Sequence, residues 1–287
     1  MTIKITLQDK AVLGDTALGG TTLNGGSPMH VAWTGTDSQH HVNVAQSADA
    51  RAISGKVTLG ETSIAAPALV AGGSKLYLSW TGTDNPHHLN VLQSGDGGHT
   101  FTGKATLGET SNHAPALAFG RSTLYLAWTG TDNHLNVISS SDGHTFGNKV
   151  TLGEISGAAP SLVFMNDKLY LGWSGTDANH SLNLLQSSDG KRFDHKITLQ
   201  DSSDFAPVFA PASDNVTYIA WTGRDPEHHL NMMASRNGGQ AWDSKVTLAD
   251  TSVAVPSLAW LGSKLVIGWT GTDAPHHMNL AHIVVVM

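Results

Sequence analysis

Short apolar runs alternate along the chain with clusters of Gly, Pro, Asp and Ser, and no apolar stripe is sustained at helical spacing. One set of runs is "APALVAG" (66–72), "KLYLSWTG" (75–82), "HHLNVLQS" (87–94) and "GKATLGE" (103–109). Each has the length of a strand and is bounded by turn-forming residues. The second run is apolar almost throughout, as a strand covered on both faces would be. The set recurs six times. Trp33, Trp80, Trp128, Trp173, Trp221 and Trp269 end the second run of each set, at spacings of 47, 48, 45, 48 and 48 residues. A period of this length marks a propeller, solenoid or array. Four strands per period leave about 12 residues for each strand with its turn, which suits a propeller blade.

The two ends favour a ring. The sixth set stops after "HHMNLAHIVVVM" without a fourth run. The segment "IKITLQD" at 3–9 matches "KITLQDS" at 196–202 and "KVTLGET" at 56–62. The N-terminus therefore supplies the missing strand, with 3–7 lying beside 280–286. An open solenoid would need odd, polar capping repeats, whereas closure hides backbone edges. The sequence predicts an all-β fold, a single six-bladed β-propeller with four-stranded blades in one domain over 1–287. The blades fall at about 16–60, 65–108, 113–153, 158–200, 205–249, and 254–287 plus 3–9.

Composition narrows the function classes. Charged residues are only 14% of the 287, and the formal charge is −7. Nucleic acid is disfavoured, because phosphates call for a basic surface. No polybasic patch suits an anionic membrane, and the longest apolar run, "IVVVM", is too short to insert. A soluble chain is therefore expected, and since the start shows no apolar core of a secretory signal, a cytoplasmic or non-classically secreted one. Without cysteine there is no thiolate or disulfide chemistry. The 16 histidines would carry the formal charge to +9 if all were protonated, and unperturbed histidine titrates near pH ~6.5.

The phrase "WTGTDNPHHLNV" at 80–91 is written nearly the same way in every set. Its polar residues form the loop between second and third strands and the start of the third. Asp37, Asp84, Asp132, Asp177, Asp225 and Asp273 follow the Gly-Thr or its equivalent. His41, His88, His134, His180, His229 and His277 come next, then Asn43, Asn90, Asn136, Asn183, Asn231 and Asn279. In the fourth set Ser181 breaks the pattern. Side chains alternate along a strand, so paired histidines such as His87 and His88 do not aim at one ion. Histidines of different blades stand too far apart for zinc–nitrogen bonds of about 2 Å. No metal and no cofactor is expected.

The loop after the fourth strand, "GETS", carries Glu61, Glu109 and Glu154, and reads "QDSS", "ADTS" and "QDKA" elsewhere. Two accounts of these residues stand side by side. In one, His88 and Asn90 tie the "GTD" turn to the next blade, and the tryptophans fill the interface between blades. In the other, Trp33, Trp80 and Trp128 join the Asp, His, Asn and Glu residues in repeated ligand pockets. Carboxylate, imidazole, amide and an aromatic ring together suit a sugar's hydroxyls.

The turns after the third strands read "SGDGGHTF" (94–101), "SSDGHTF" (140–146), "SSDGKRF" (187–193) and "SRNGGQAW" (235–242). They resemble the Asp-box, S-x-D-x-G-x-T-W, of sialidase-like six-bladed propellers. The resemblance implies a structural turn at Asp96, Asp142 and Asp189, on the face opposite the binding loops. It also brings in a sialidase-like glycoside hydrolase as an alternative function. That activity uses three arginines and a tyrosine nucleophile. This chain has only Arg51, Arg121, Arg192, Arg224 and Arg236, of which Arg224 alone falls in a "GTD"-type loop. Tyr77, Tyr125, Tyr170 and Tyr218 are repeat residues within second strands. A non-enzymatic, multivalent, lectin-like binder of glycans or glycoconjugates is the expectation, since repeated weak sites gain avidity. A protein-binding scaffold or toxin-like receptor module is the third alternative. The departures from the repeat, Arg224 with Glu227, Asp204 with Phe205, and His113, mark where a unique site would lie.

Overall fold

A computed structural model describes residues 4–213 and 215–286. Six four-stranded antiparallel sheets are arranged as the blades of a propeller. Blade 2 is built from Ala68–Gly72, Lys75–Thr81, His88–Ser94 and Thr102–Thr110, from the axis outward. Blade 6 combines Ser257–Leu261, Lys264–Thr270 and His277–Val286 with the N-terminal strand Lys4–Thr16, which closes the ring. Among the described residues no helix is long and apolar enough to cross a membrane.

The sequence pattern maps onto burial strand by strand. In blade 2 the second and third strands are buried almost throughout, while the outer strand alternates. Two faces of a blade are covered by its neighbours, so apolar residues are needed on both. The clusters accordingly cross from blade to blade: Val42 and Val44 of blade 1 pack with Leu76, Leu78 and Trp80 of blade 2. Trp80 pairs with Asn90 across the second and third strands, and Asn90 pairs with Thr106 on the outer strand. Directly opposed residues point to one face of a sheet. That register carries Trp80, Asn90 and Thr106 to the face turned toward blade 1.

Closure differs in one respect from the sequence expectation. Lys4 to Leu7 do pair with Val286 to Ile283, as expected for the described part of 3–7; Ile3 lies outside the described residues. The counterpart of the repeated outer strand, however, is Lys10–Thr16, "KAVLGDT". Thr16 pairs with His277 just as Thr110 pairs with His88. The loop equivalent to "GETS" is thus "GDTA" at 14–17, not "QDKA". Residues 4–9 extend the strand beyond the repeat, matched by a ten-residue third strand in blade 6.

The "GTD" and "GETS" loops share one face of the ring. The opposite face carries the turns after the third strands. There Asp96 accepts the N–H groups of His99 and Thr100 at 3.1 and 2.9 Å and the Thr100 hydroxyl at 2.6 Å. Thr100 and Ser94 hold its carboxyl well below the usual carboxylate range. Asp142 and Asp189 accept equivalent backbone bonds, and Asn237 does so in blade 5.

Candidate functional site

Each "GTD" loop is organised by its aspartate. Asp84 accepts the His88 backbone N–H at 3.3 Å, and the His88 ring donates to it from Nδ1 at 2.6 Å. Partial desolvation pushes the Asp84 carboxyl up, but the His88 bonds outweigh it and hold it below its ordinary value. Asp37–His41, Asp225–His229 and Asp273–His277 repeat the pair at 2.7, 2.6 and 2.6 Å. With Nδ1 committed, Nε2 is the ring atom left for a ligand. Gly82 precedes the loop because a Cβ there would collide with the Asp84 carboxylate.

The two histidines of "HH" have different tasks. His40, His87, His180, His228 and His276, and Asn133 in blade 3, take positive φ between 53° and 68°. Non-glycine residues rarely do so, and His and Asn are among those that tolerate it. The His87 carbonyl then accepts the Ser111 N–H at 3.2 Å, fastening the loop to the end of its own outer strand. His88, by contrast, is about one-third exposed beside the groove.

The expected tie between blades lies elsewhere than at His88 and Asn90. Asn90 is 4% exposed; its Nδ2 donates to the His88 carbonyl at 2.8 Å, and its Oδ1 accepts from Thr106 at 2.7 Å. All these partners belong to blade 2, so the network is internal to one blade. Asn43, Asn136, Asn183, Asn231 and Asn279 donate in the same way within their own blades. The joint between blades is made by the threonine that follows the tryptophan in five of the blades and by the serine of "GETS". Thr81 donates to the His113 carbonyl at 2.6 Å, and Ser63 donates to the Thr81 carbonyl at 2.9 Å. His113, set apart by the sequence, serves this joint through its backbone.

A second set of residues faces the aspartate–histidine pairs. Lys104 stands over the Trp80 ring, 5.4 Å from its centroid, and bridges to Glu61 of blade 1 at 2.5 Å. The arrangement runs round the ring: Lys149–Glu109, Lys196–Glu154 and Lys245–Asp201 at 2.6, 2.7 and 2.7 Å, with Lys10–Asp250 and Lys56–Asp15 completing it. Five of these lysines lie over a tryptophan, at 5.1 to 5.4 Å. All six indoles are 1% exposed. They are the floor of a groove that a lysine covers, rather than an open stacking surface. The sequence reading missed these lysines and the acids Asp15, Asp201 and Asp250. The signal was available: each outer strand carries Lys followed by an acid five residues later.

The resulting groove lies between neighbouring blades. Between blades 6 and 1 it has a volume of about 540 Å³ and is lined by Asp15, Thr16, Trp33, Asp37, His41 and Lys56 among others. Between blades 5 and 6 a groove of about 400 Å³ has Asp250, Thr251, Trp269, Asp273, His277 and Lys10 in the same places. Blades 3, 4 and 5 depart from this plan. His134 turns its Nδ1 to the Leu152 carbonyl at 3.0 Å instead of to Asp132. Asp177 takes the Ser181 hydroxyl at 2.9 Å, while His180 bonds to Asp204 at 3.0 Å. Arg224 reaches Asp204 at 3.0 Å and the Asn179 carbonyl at 3.3 Å. Asp225, Glu227 and His229 have ligand-capable atoms within 4.8 Å of one another. The His229 Nδ1 in that cluster is already bonded to Asp225.

The arginines are dispersed. Arg51 pairs with Asp9, Arg121 with Asp167, Arg192 with Asp194 and Arg236 with Asp243, all on the face away from the grooves. Burial pushes the hydroxyls of Tyr77, Tyr170 and Tyr218 up. These side chains serve the opposite face: the Tyr170 hydroxyl donates to the Gly238 carbonyl of the next blade at 3.0 Å.

The chain matches no protein-family model and no curated protein. Solved structures share its architecture. A protein of unknown function from Dyadobacter fermentans DSM 18053 superposes with TM-score 0.75 and 12% identity, over 98% of this chain and 99% of its own. The phage phi92 endosialidase superposes with TM-score 0.66 and 12% identity, over 97% and 69%. The BP39L lectin from Burkholderia pseudomallei gives TM-score 0.64 and 13% identity, over 99% and 81%. Identity this low is a likeness of fold. The chain is a six-bladed propeller of the architecture found in both an endosialidase and a lectin.

Proposed function

We propose that the protein is a multivalent, lectin-like binder of glycans that uses the grooves between blades and performs no catalysis there. The supporting observation is the repeated groove itself. A half-exposed aspartate–histidine pair on one blade faces a lysine–acid pair that spans two blades. Carboxylates accept hydrogen bonds from sugar hydroxyls, and the ammonium donates to them. The Thr hydroxyls and the histidine Nε2 add a second layer of polar contacts. Catalysis calls for groups in distinct roles at one place, and here the same groups recur around the ring. A sialidase-like reaction lacks its arginine cluster, because the arginines are spread over different blades and both faces.

The decisive experiment is a glycan array with the purified chain at neutral pH, followed by His88→Ala. Binding to a defined saccharide set that weakens in the variant supports the proposal. An array without a signal removes it.

A further inference from the structure

We infer that three consecutive grooves, those between blades 5 and 6, 6 and 1, and 1 and 2, form a clustered trivalent site for neutral sugars, and that the other three do not bind. The inference rests on the sugar-binding proposal above. The three grooves share three polar elements. Each has an Asp–His pair on one wall: Asp273–His277, Asp37–His41 and Asp84–His88. Each has an interblade lysine–acid pair: Lys10–Asp250, Lys56–Asp15 and Lys104–Glu61. In each, two threonine hydroxyls from facing blades meet, Thr251 with Thr272, Thr16 with Thr36, and Thr62 with Thr83, at 2.8, 2.6 and 2.5 Å.

Each remaining groove has lost part of this set. Between blades 2 and 3 the loop from Trp128 to His134 is two residues shorter than its counterpart from Trp80 to His88. His134 is drawn off to Leu152, and no bond joins Thr110 to Thr131 among the described residues. Between blades 3 and 4, Ser181 replaces the histidine and Ile155 replaces the threonine of the facing blade, exposing an apolar side chain there. Between blades 4 and 5, Arg224 stands where the other loops have threonine. It reaches across to Asp204 and the Asn179 carbonyl of blade 4.

Charge selects the class of sugar. Each intact groove holds two carboxylates and one ammonium, for example Asp37, Asp15 and Lys56. Carboxylates outnumber the ammonium there, which disfavours the carboxylate of an acidic sugar. Adjacent hydroxyls of a neutral sugar can instead donate to the acid and accept from the lysine. Because the three grooves are neighbours on the ring, one branched or surface-bound glycan array engages them from one side.

The test is a calorimetric titration of the full chain with methyl glycosides of neutral hexoses and deoxyhexoses, with N-acetylneuraminic acid as the anionic comparison. The expected count is three sites per chain for a neutral glycoside, with at least tenfold weaker binding of the acid. His41→Ala, His88→Ala and His277→Ala each lower the count to two, and the triple variant abolishes binding. One or six sites in the wild-type chain, binding that survives in the triple variant, or preference for the acidic sugar overturns the inference while leaving sugar binding intact. If no glycoside binds, the sugar-binding proposal fails and this inference with it.

Discussion

Asn90→Ala should be among the costliest conservative truncations on the groove face, although Asn90 sits where a ligand residue was expected. The amide is 4% exposed and bridges two strands, donating to the His88 carbonyl at 2.8 Å and accepting from Thr106 at 2.7 Å. Truncation deletes both bonds and leaves a carbonyl and a hydroxyl to be resatisfied. A buried group left without its partner costs about 1–3 kcal/mol, so two such groups amount to about 2–4 kcal/mol if water reaches one of them. At about 2–4 °C per kcal/mol for a domain of this size, the melting temperature falls by roughly 4–16 °C. His88→Ala is the matched comparison. That ring is about one-third exposed and its bond to Asp84 is on the surface, so the cost is about 1 kcal/mol or less. Scanning fluorimetry at one fixed scan rate compares the two directly. Thr106→Val should remove much of the same stability, and the double variant should cost less than the sum. Equal losses for His88→Ala and Asn90→Ala, or additivity of Asn90→Ala with Thr106→Val, would refute the assignment of Asn90 to an internal network.

Gly82→Ala should cost about 1–3 kcal/mol by overpacking, because its Cβ meets the Asp84 carboxylate; a variant as stable as the wild type in urea titration would contradict that placement. Acid should erode stability through the aspartates that accept N–H bonds. Their folded values lie below the unfolded value of about 3.9, so the contribution is complete above that pH and is lost as pH falls through the folded values. Asp96→Asn keeps the acceptor, as Asn237 does in blade 5, and should flatten the loss of melting temperature below about pH 4; an unchanged acid profile would count against this account. Deleting residues 1–9 should leave a folded ring of lower stability, since Ile5 is buried but the repeat strand Lys10–Thr16 remains. Deleting 1–17 should abolish the monomeric folded state on gel filtration, and a well-folded monomer would show that closure is dispensable.

The ring was legible because each blade repeats the same alternation, and the period survives every local change. Closure was legible for the same reason, yet its register was not. "KITLQD" and "KAVLGD" stand in tandem, both alternate, and both match the outer-strand template. Only the pairing of Thr16 with His277 shows which is the counterpart. At the groove, the sequence indicated the Asp, His and Asn residues and three of the facing acids, Glu61, Glu109 and Glu154. It did not show that Asn is consumed inside its own blade, because that depends on register across three strands. The lysine–acid bridges were missed because their partners lie about one blade apart in sequence, as with Glu61 and Lys104. The unusual "GRDPE" segment was legible as an exception, and the structure explains Arg224 as a strap to Asp204.

The separation between joint and groove has a consequence for how such a chain can change. The threonine after the tryptophan stitches five blades to the next, as Thr34, Thr81, Thr129, Thr222 and Thr270, while Ser174 bonds to Ser203 at the end of its own blade, and Ser203 reaches Thr222 of blade 5. The loop residues that face solvent are free to drift blade by blade, as Ser181 and Arg224 have done. If the grooves bind sugars as proposed, substitution in a single loop would add or delete one binding position while the circumference stays closed. On that proposal, valency in this ring is set one blade at a time.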